Sequence, residues 1–277
     1  MSLALLYALI YLIISLPGVQ DNLRSRAEEI LCETLNVPLS ISRIEFSPFN
    51  RIELFNVTIP DQRGDTLLYA KKLGVGISLD ELITHNRICL NNIQLFGMDV
   101  NITRDSLTSN TNLQFIIDAF TPDDKNEPKP IDLRINSAMI RRSSVSYDVL
   151  SEPTIDSCLF DANHIKINDL STTINIRAFN SDSINAHIKR LSCKEQSGLT
   201  IERLSLQAIA NRQQALINDF HLQLPNTRLN PRIDADFTHV HHWENFLDST
   251  RFAIAINNSV ITPSDITPLV PILQQFH

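Results

Sequence analysis

The histidines near the end of the chain come nearest to the spacing of a metal site. His239, His241 and His242 lie within four residues of one another, and on a strand His239 and His241 would share one face. Two imidazoles can bind a metal ion, but the spacing fixes no third ligand. We therefore interpret the cluster as a solvated strand end and expect no metal site.

No other group of residues has the spacing of a catalytic or nucleotide-binding site. The sequences Gly-x-Ser-x-Gly, His-Glu-x-x-His and Gly-Lys-Ser/Thr do not occur. Gly74-Val75-Gly76 lies inside a strand pattern with no helix after it, which favours a bend over a nucleotide cradle. The basic stretch Arg141-Arg142-Ser143-Ser144 is interpreted as a solvated loop. We expect no enzymatic activity and no cofactor.

Composition limits the classes of partner. The chain has 277 residues, a net charge of -7 and a pI near 5.6, which gives a nucleic-acid partner no electrostatic support. The chain also lacks a run of basic residues of the kind that would predict a binding patch for lipid headgroups. Aromatic residues make up 6% of the chain and glycine only 6 positions, so we expect a mostly aliphatic interior.

The four cysteines do not form a metal or redox motif. Cys32, Cys89, Cys158 and Cys193 lie far apart, with no Cys-x-x-Cys pair. Cys158 and Cys193 could form a disulfide in an oxidising compartment, and buried free thiols are the favoured alternative.

Short alternating strands begin after residue 39 and recur about every ten residues. Arg43-Ile44-Glu45-Phe46 is followed by the longer runs 51–59 and 66–77, in which every second residue is apolar. Such alternation predicts a sheet with one apolar face, and the absence of long intervening helices predicts a largely antiparallel arrangement.

The parity of the apolar positions changes within several of these strands. Ile52 and Leu54 are followed by Val57 and Ile59, with Phe55-Asn56 between them. A bulge or tight bend would keep both halves facing one core, whereas a plain hairpin turn is the alternative. The same switch occurs at three other pairs, Asn91-Asn92, Asn168-Asp169 and Asn218-Asp219.

The N-terminal segment is apolar from Leu3 to Leu16 and would form roughly 21 Å of helix, short of the ~30 Å hydrocarbon core. A membrane anchor, a cleaved signal peptide and a buried helix are the three interpretations. No small-x-small cleavage site follows, which favours the anchor. No Lys or Arg precedes the segment, as would be expected if the native chain started further upstream.

A second helix is predicted from Asp21 to Leu35, with Asn36 as its stop. Its apolar residues recur at helical spacing, so it would cover the end of the sheet or, alternatively, lie on the membrane surface. A short helix is predicted from Asn112 to Phe120, before a charged, proline-rich linker at 121–130. We therefore divide the chain into 1–20, 21–120, 121–130 and 131–277.

Several segments occur in the order found in a known family. They are Leu16-Pro17-Gly18-Val19-Gln20, Ser42-Arg43-Ile44, Phe55-Asn56-Val57-Thr58-Ile59, the stretch 65–73 and the stretch 112–120. From about Leu3 to Phe120 the chain resembles the N-terminal region of AsmA-like proteins, in particular the TamB branch. The resemblance implies an inner-membrane-anchored, periplasm-spanning β groove concerned with outer-membrane biogenesis in a Gram-negative bacterium. Proteins of that family continue further, so the chain is expected to be a fragment or a short relative.

Two functions are therefore expected as alternatives. In the first, an apolar β groove (a β-taco) carries phospholipid between the two membranes. In the second, strand edges assist insertion or secretion of outer-membrane proteins with a barrel insertase. A closed β sandwich on an anchor is a third, because alternation is the same for an open trough and a dry core. Parity selects the candidate groove-lining residues Ile52, Leu54, Val57, Ile59, Ile93, Leu95, Ile131, Leu133 and Ile135.

Overall fold

The protein is mainly β, with about 60% of the residues that the structure describes in strands. The structure, a computed structural model, describes residues 12, 16–47, 51–77, 88–120, 131–155, 158–179, 183–211, 214–236 and 251–270. The helices are α1 (Pro17–Leu35), α2 (Gln114–Phe120) and α3 (Pro263–Ile266). The strands are β1 (Ser40–Ser47), β2 (Arg51–Pro60), β3 (Thr66–Ile77), β4 (Ile88–Arg104), β5 (Ile131–Val149), β6 (His164–Phe179), β7 (Ser183–Glu195), β8 (Thr200–Asn211), β9 (Gln214–Gln223), β10 (Arg228–Leu229), β11 (Pro231–Asp236) and β12 (Arg251–Ile256).

All twelve strands belong to one mixed sheet. Their order is β1-β2-β3-β4-β5-β6-β7-β8-β9-β11-β12, with β10 paired to β9. The chain divides into two compact units, each described separately below. Unit 1 comprises Met1–Ile135 and Ile140–Thr154, and unit 2 comprises Asn136–Met139 and Ile155–His277.

One strand pair within unit 1 is parallel. Met98 N donates to Ser143 Oγ at 3.2 Å, and Ser144 Oγ donates to Asp99 Oδ1 at 2.7 Å. Ser146 then bonds to Asn101, so partners advance along β4 and β5 in the same direction with a constant offset of 45 residues. A parallel pair needs a long crossover, and the 26 residues between these strands, with α2 among them, provide it. The other strand pairs with a described register are antiparallel, in agreement with the largely antiparallel prediction.

Helix α1 begins one turn earlier than predicted. Pro17 occupies its first turn, where a missing N–H costs no hydrogen bond, and Val19 N and Gln20 N bond to Leu16 O at 3.0 Å. Asp21 therefore lies inside the helix rather than at its start. The predicted stop is confirmed, because Asn36 adopts the left-handed conformation with φ 55° at the C-cap.

The core of unit 1 lies between α1 and the first strands. Ile41, Val57, Ala70 and Met98 are directly opposite one another on β1 to β4, and each is at most 7% exposed. Residues opposite each other share one face of a sheet, so they form a continuous apolar row. Leu23, Ala27, Leu31 and Cys32 of α1 pack on this core, with Phe115, Ile116 and Ala119 of α2. Helix α1 thus covers the sheet, as the first interpretation of it predicted.

The parity switch at Asn56 is a bend within one strand. Leu54 and Val57 are both buried in the same core although they differ in parity, and Asn56 between them has φ 48°. The register of β2 with β1 and β3 is unchanged across this point. Lys71 of β3 lies opposite Asn56, and Gly97 (φ 57°) of β4 lies opposite Lys71, so the left-handed residues of β2 and β4 fall in one row across the sheet without an extra residue.

The other three switches include an extra residue. The register of β3 with β4 shifts so that Asn91 is unmatched, and the β6–β7 register shifts between Asn168 and Ser171, next to Asp169 (φ 54°). Asp219 (φ 50°) lies in the shift between β8 and β9. All four positions fall inside continuous strands, which confirms the bulge-or-bend interpretation and excludes hairpin turns there.

The last described segment, 262–270, is bonded to other parts of unit 2. Phe160 N donates to Pro268 O at 2.9 Å, and Asn226 N donates to Asp265 Oδ2 at 2.7 Å. Thr227 is fully buried, and its hydroxyl accepts from Thr262 N at 2.9 Å. The segment 262–270, which contains α3, is therefore an integral part of this unit.

Some predicted features lie outside the described residues. These are most of the apolar segment 3–16, the linker 121–130 and the histidine cluster 239–242. Among the helices that the structure does describe, none combines the length and the apolar character needed to cross a bilayer.

Candidate functional site: the apolar face of unit 2

Six strands of unit 2 place apolar side chains in one row. The register aligns one residue from each of β6, β7, β8, β9, β11 and β12. We call the face that carries this row the apolar face of unit 2. The row consists of Ile176, Ala186, Ala208, Ile217, Ile233 and Ile254.

Further rows extend the same face along the strands. Ile174, Ile188 and Leu206 are directly opposite one another, and beyond the bulges Leu191, Leu204 and Leu222 are aligned. The bulge at Asp219 matters here because it returns Phe220 and Leu222 to the face that carries Ile217. Without it, the second half of β9 would turn its apolar residues to the opposite side.

On the opposite face of the unit 2 sheet, the row next to the apolar row is polar. Asn175, His187, Gln207 and Asn218 form the row directly next to the apolar row, one on each of β6 to β9. Successive residues of a strand point to opposite faces, so this polar row lies on the reverse of the sheet. At this level the sheet of unit 2 is therefore apolar on one face and polar on the other, whereas the next row of the reverse face also carries Ile209 and Leu216.

The apolar face of unit 2 is only partly covered. Ile176, Ile217 and Ile233 are half-buried, whereas Ile254 is 59% exposed and Ile256 62% exposed. Among the described residues of this unit, the only buried apolar ones are Cys193 and Leu224. In unit 1, by contrast, the corresponding side chains are packed beneath two helices.

All nine predicted groove-lining residues lie in unit 1. Leu54 and Val57 are buried in its core, and Ile52, Ile59 and Leu95 pack against that core. Ile93 is half-buried opposite Val75. Ile135 in β5 is half-buried; Ile131 and Leu133 belong to the same strand, but their side chains lie outside the described set. Their assignment as lipid-lining residues stays a prediction.

The residues that form the exposed apolar face were identifiable as strands but were not selected as a site. The alternation in Ile174-Asn175-Ile176 and in Ile184-Asn185-Ala186 marks one apolar face. Parity cannot distinguish a face that a helix covers from one that stays accessible. The missing signal was the position of α1 and α2, both of which pack on unit 1.

The described part of unit 2 contains two cysteines and the buried carboxylates Asp161 and Glu195. Cys158 and Cys193 form no disulfide; Cys158 is exposed and Cys193 is buried, and burial together with the nearby Glu195 raises the pKa of Cys193. Burial acts to raise the pKa of Asp161, but the backbone N–H groups of Asn163 and Ile155 outweigh it and hold that pKa below its usual range. Within the described residues no group of three or more potential ligands could hold a metal.

Unit 1 has a polar pocket of about 310 Å³ at the β2–β3 turn. Asp61, only 4% exposed, accepts from Arg63 N and Asp65 N, at 2.8 and 3.0 Å, and from Asn112 Nδ2 at 3.3 Å. Burial would raise the pKa of Asp61, but these donors outweigh it and lower the pKa below its usual range. Because the carboxylate is already satisfied, we interpret it as a turn-stabilising group.

Comparisons with known proteins add no assignment. No protein-family model matches the chain, and no curated protein matches it. The geometry of the described residues is therefore the basis for the functional proposal, together with the resemblance carried by the segments between Leu3 and Phe120.

Proposed function

We propose that this protein is a membrane-anchored periplasmic β-groove protein that carries phospholipid between the inner and outer membranes. The observation that carries the proposal is the apolar row across six strands of unit 2, which ends in the exposed Ile254. Its anchor would be the apolar N-terminal segment, and its class the TamB branch of the AsmA-like proteins.

A hydrocarbon chain suits this face for a physical reason. Contact with apolar side chains removes surface from water at roughly 25 cal/mol per Å², with no need for a specific polar ligand. The row offers Ile and Ala side chains over six neighbouring strands, which lie about 4.8 Å apart. An acyl chain lying across the strands would therefore be sheltered over roughly 24 Å.

The proposal is tested by lipid extraction and mass spectrometry of protein purified in mild detergent. Ile217→Glu places a charge on the apolar face, and the matched control Asn218→Glu places it on the polar face of the same strand. We expect phospholipid to co-purify with the wild-type protein and the control and to be reduced several-fold with Ile217→Glu. Lipid-free wild-type protein would contradict the proposal.

The scaffold function is retained as a second candidate because of strand β12. It is the last strand of the sheet, and four of its residues, Ala253 to Ile256, are exposed. An unpaired strand edge can accept a strand from another protein. Capture of an outer-membrane barrel insertase by wild-type protein, lost when Ala255 is changed to Pro, would favour this candidate.

A further inference from the structure

Cationic and aromatic residues alternate across the outer face of unit 1, the face opposite its core. Arg43, Phe55, Lys72 and Phe96 are directly opposite one another on β1 to β4. Each lies one residue away from a position that is buried in the core, such as Leu54, or packs against it, such as Leu73, so the four side chains point away from the core. We call this row the cation–aromatic row.

The members of this row contact one another. The Arg43 guanidinium lies 4.3 Å from the centre of the Phe55 ring, and Lys72 Nζ lies 5.6 Å from the same ring. Lys72 Nζ is also 6.0 Å from the Phe96 ring. These distances are within the range of cation–π attraction, which holds the cations over the rings.

The parallel strand β5 extends the row by one more cation. The offset of 45 residues between β4 and β5 aligns Arg141 with Phe96 and Arg142 with Gly97. The neighbouring row, which contains the left-handed residues Asn56 and Gly97, contributes Lys71, which is exposed and lies opposite Gly97. Five cations therefore lie on two neighbouring rows: Arg43, Lys71, Lys72, Arg141 and Arg142.

The charge of this face is opposite to that of the chain as a whole. The flanking rows contribute three carboxylates, and two of them pair with the cations, Glu45 with Arg43 at 3.0 Å and Glu53 with Lys72 at 2.8 Å. The third, Asp99, accepts from Ser144. The two rows together with their flanks keep a net positive charge in a chain whose net charge is -7.

We infer that the cation–aromatic row is a docking surface for the anionic headgroups of a phospholipid bilayer. Charge complementarity supports this occupant, because juxtaposed Lys and Arg residues attract anionic lipid and aromatic rings favour the boundary between headgroups and acyl chains. The core side of unit 1 is covered by two helices, which leaves the outer face to meet a partner. This surface is distinct from the apolar face of unit 2 and does not depend on the lipid-carrier proposal.

The patch was missed in the sequence because its residues are distant along the chain. Positions 43, 71, 72, 141 and 142 come from three strands and form no basic run. The stretch Arg141–Ser144, interpreted above as a solvated loop, lies instead within strand β5.

Vesicle flotation of the full-length protein tests the inference. Vesicles of zwitterionic phosphatidylcholine alone are compared with vesicles that also contain anionic phosphatidylglycerol. Apolar segments would bind both kinds of vesicle, so the difference in binding reports the contribution of lipid charge. The row variant carries Arg43→Gln, Lys72→Gln and Arg141→Gln. The control removes three exposed cations from unit 2, by Lys166→Gln, Lys189→Gln and Lys194→Gln. Lys71→Glu is a second test variant, at an exposed position without loss of a packed side chain.

We expect the wild-type protein and the control to bind the anionic vesicles at least about tenfold more tightly, with the difference lost at high salt. The row variant should lose this preference, and Lys71→Glu should weaken it. Equal binding to both vesicle types would overturn the inference, as would an unchanged preference in both test variants. Equally strong competition by single-stranded nucleic acid would overturn it too, since the surface would then be a general polyanion site.

Discussion

Glu28 of helix α1 accepts a hydrogen bond from the backbone N–H of Ile41 at 2.7 Å. Arg24, one turn earlier, forms an ion pair with Glu28 at 2.9 Å and donates to the carbonyl oxygen of Ile41 at 3.4 Å. Ile41 lies on β1, the first strand of the sheet, which among the described strands pairs only with β2. The two side chains thus satisfy the backbone N–H and C=O of Ile41 on an edge strand, groups that would otherwise be open to pairing.

Replacing Glu28 should destabilise unit 1 and open its sheet edge. Ile41 is 1% exposed, so Glu28→Ala leaves a buried N–H without its acceptor, at a cost of about 1–3 kcal/mol in the free energy of unfolding. Chemical denaturation measures this. Glu29→Ala is the control, because Glu29 is more exposed and pairs only with Arg26 on the helix surface. Equal effects of the two changes would show that the edge contact contributes nothing.

The left-handed backbone at Asn56 makes a second prediction. A β-branched residue is strained at φ 48°, so Asn56→Val should lower the free energy of unfolding by about 1–2 kcal/mol. Asn56→Gly should be close to neutral, since its only other loss is an exposed hydrogen bond from Tyr69. Ser42→Val, directly opposite on β1, is the matched control and should be tolerated. If Asn56→Val were as stable as Asn56→Gly, the bend would not need its present backbone conformation.

Asp61 should make stability fall in acid. Because its pKa is lower in the folded protein than in the unfolded chain, its contribution is complete above the unfolded value near ~4 and is lost as pH falls through the folded value. Asp61→Asn should cost about 1–2 kcal/mol at neutral pH and progressively less in acid. Thermal unfolding of both proteins between pH 7 and pH 3 measures the difference, with exposed Asp65→Asn as control. A constant difference across this range would contradict the assignment.

Strand positions and the direction of the side chains were predictable from the sequence. Alternation placed Ile52, Leu54, Val57 and Ile59 on one side, and the parity switch at Phe55-Asn56 marked the position of the bend, although a hairpin turn was an equal alternative there. These features depend on local backbone geometry, which a few neighbouring residues determine.

The features that the sequence did not predict depend on contacts between distant residues. The parallel pairing of β4 with β5 follows from a crossover of 26 residues, and the alignment of Arg43 with Phe96 follows from three successive registers. Coverage by α1 decides which apolar residues are buried, and no local pattern encodes it. The predicted lining residues and the residues of the accessible face of unit 2 are therefore both aliphatic, but they are different residues in different units.

The central claim, that the apolar face of unit 2 holds lipid, is tested most directly by site-specific photo-crosslinking in intact membranes. A photoreactive amino acid is placed at Ile217 on the apolar face or at its neighbour Asn218 on the polar face, and lipid adducts are measured by mass spectrometry. The account predicts phospholipid adducts at position 217 and few at position 218. Adducts at neither position, or equal yields at both, would contradict it.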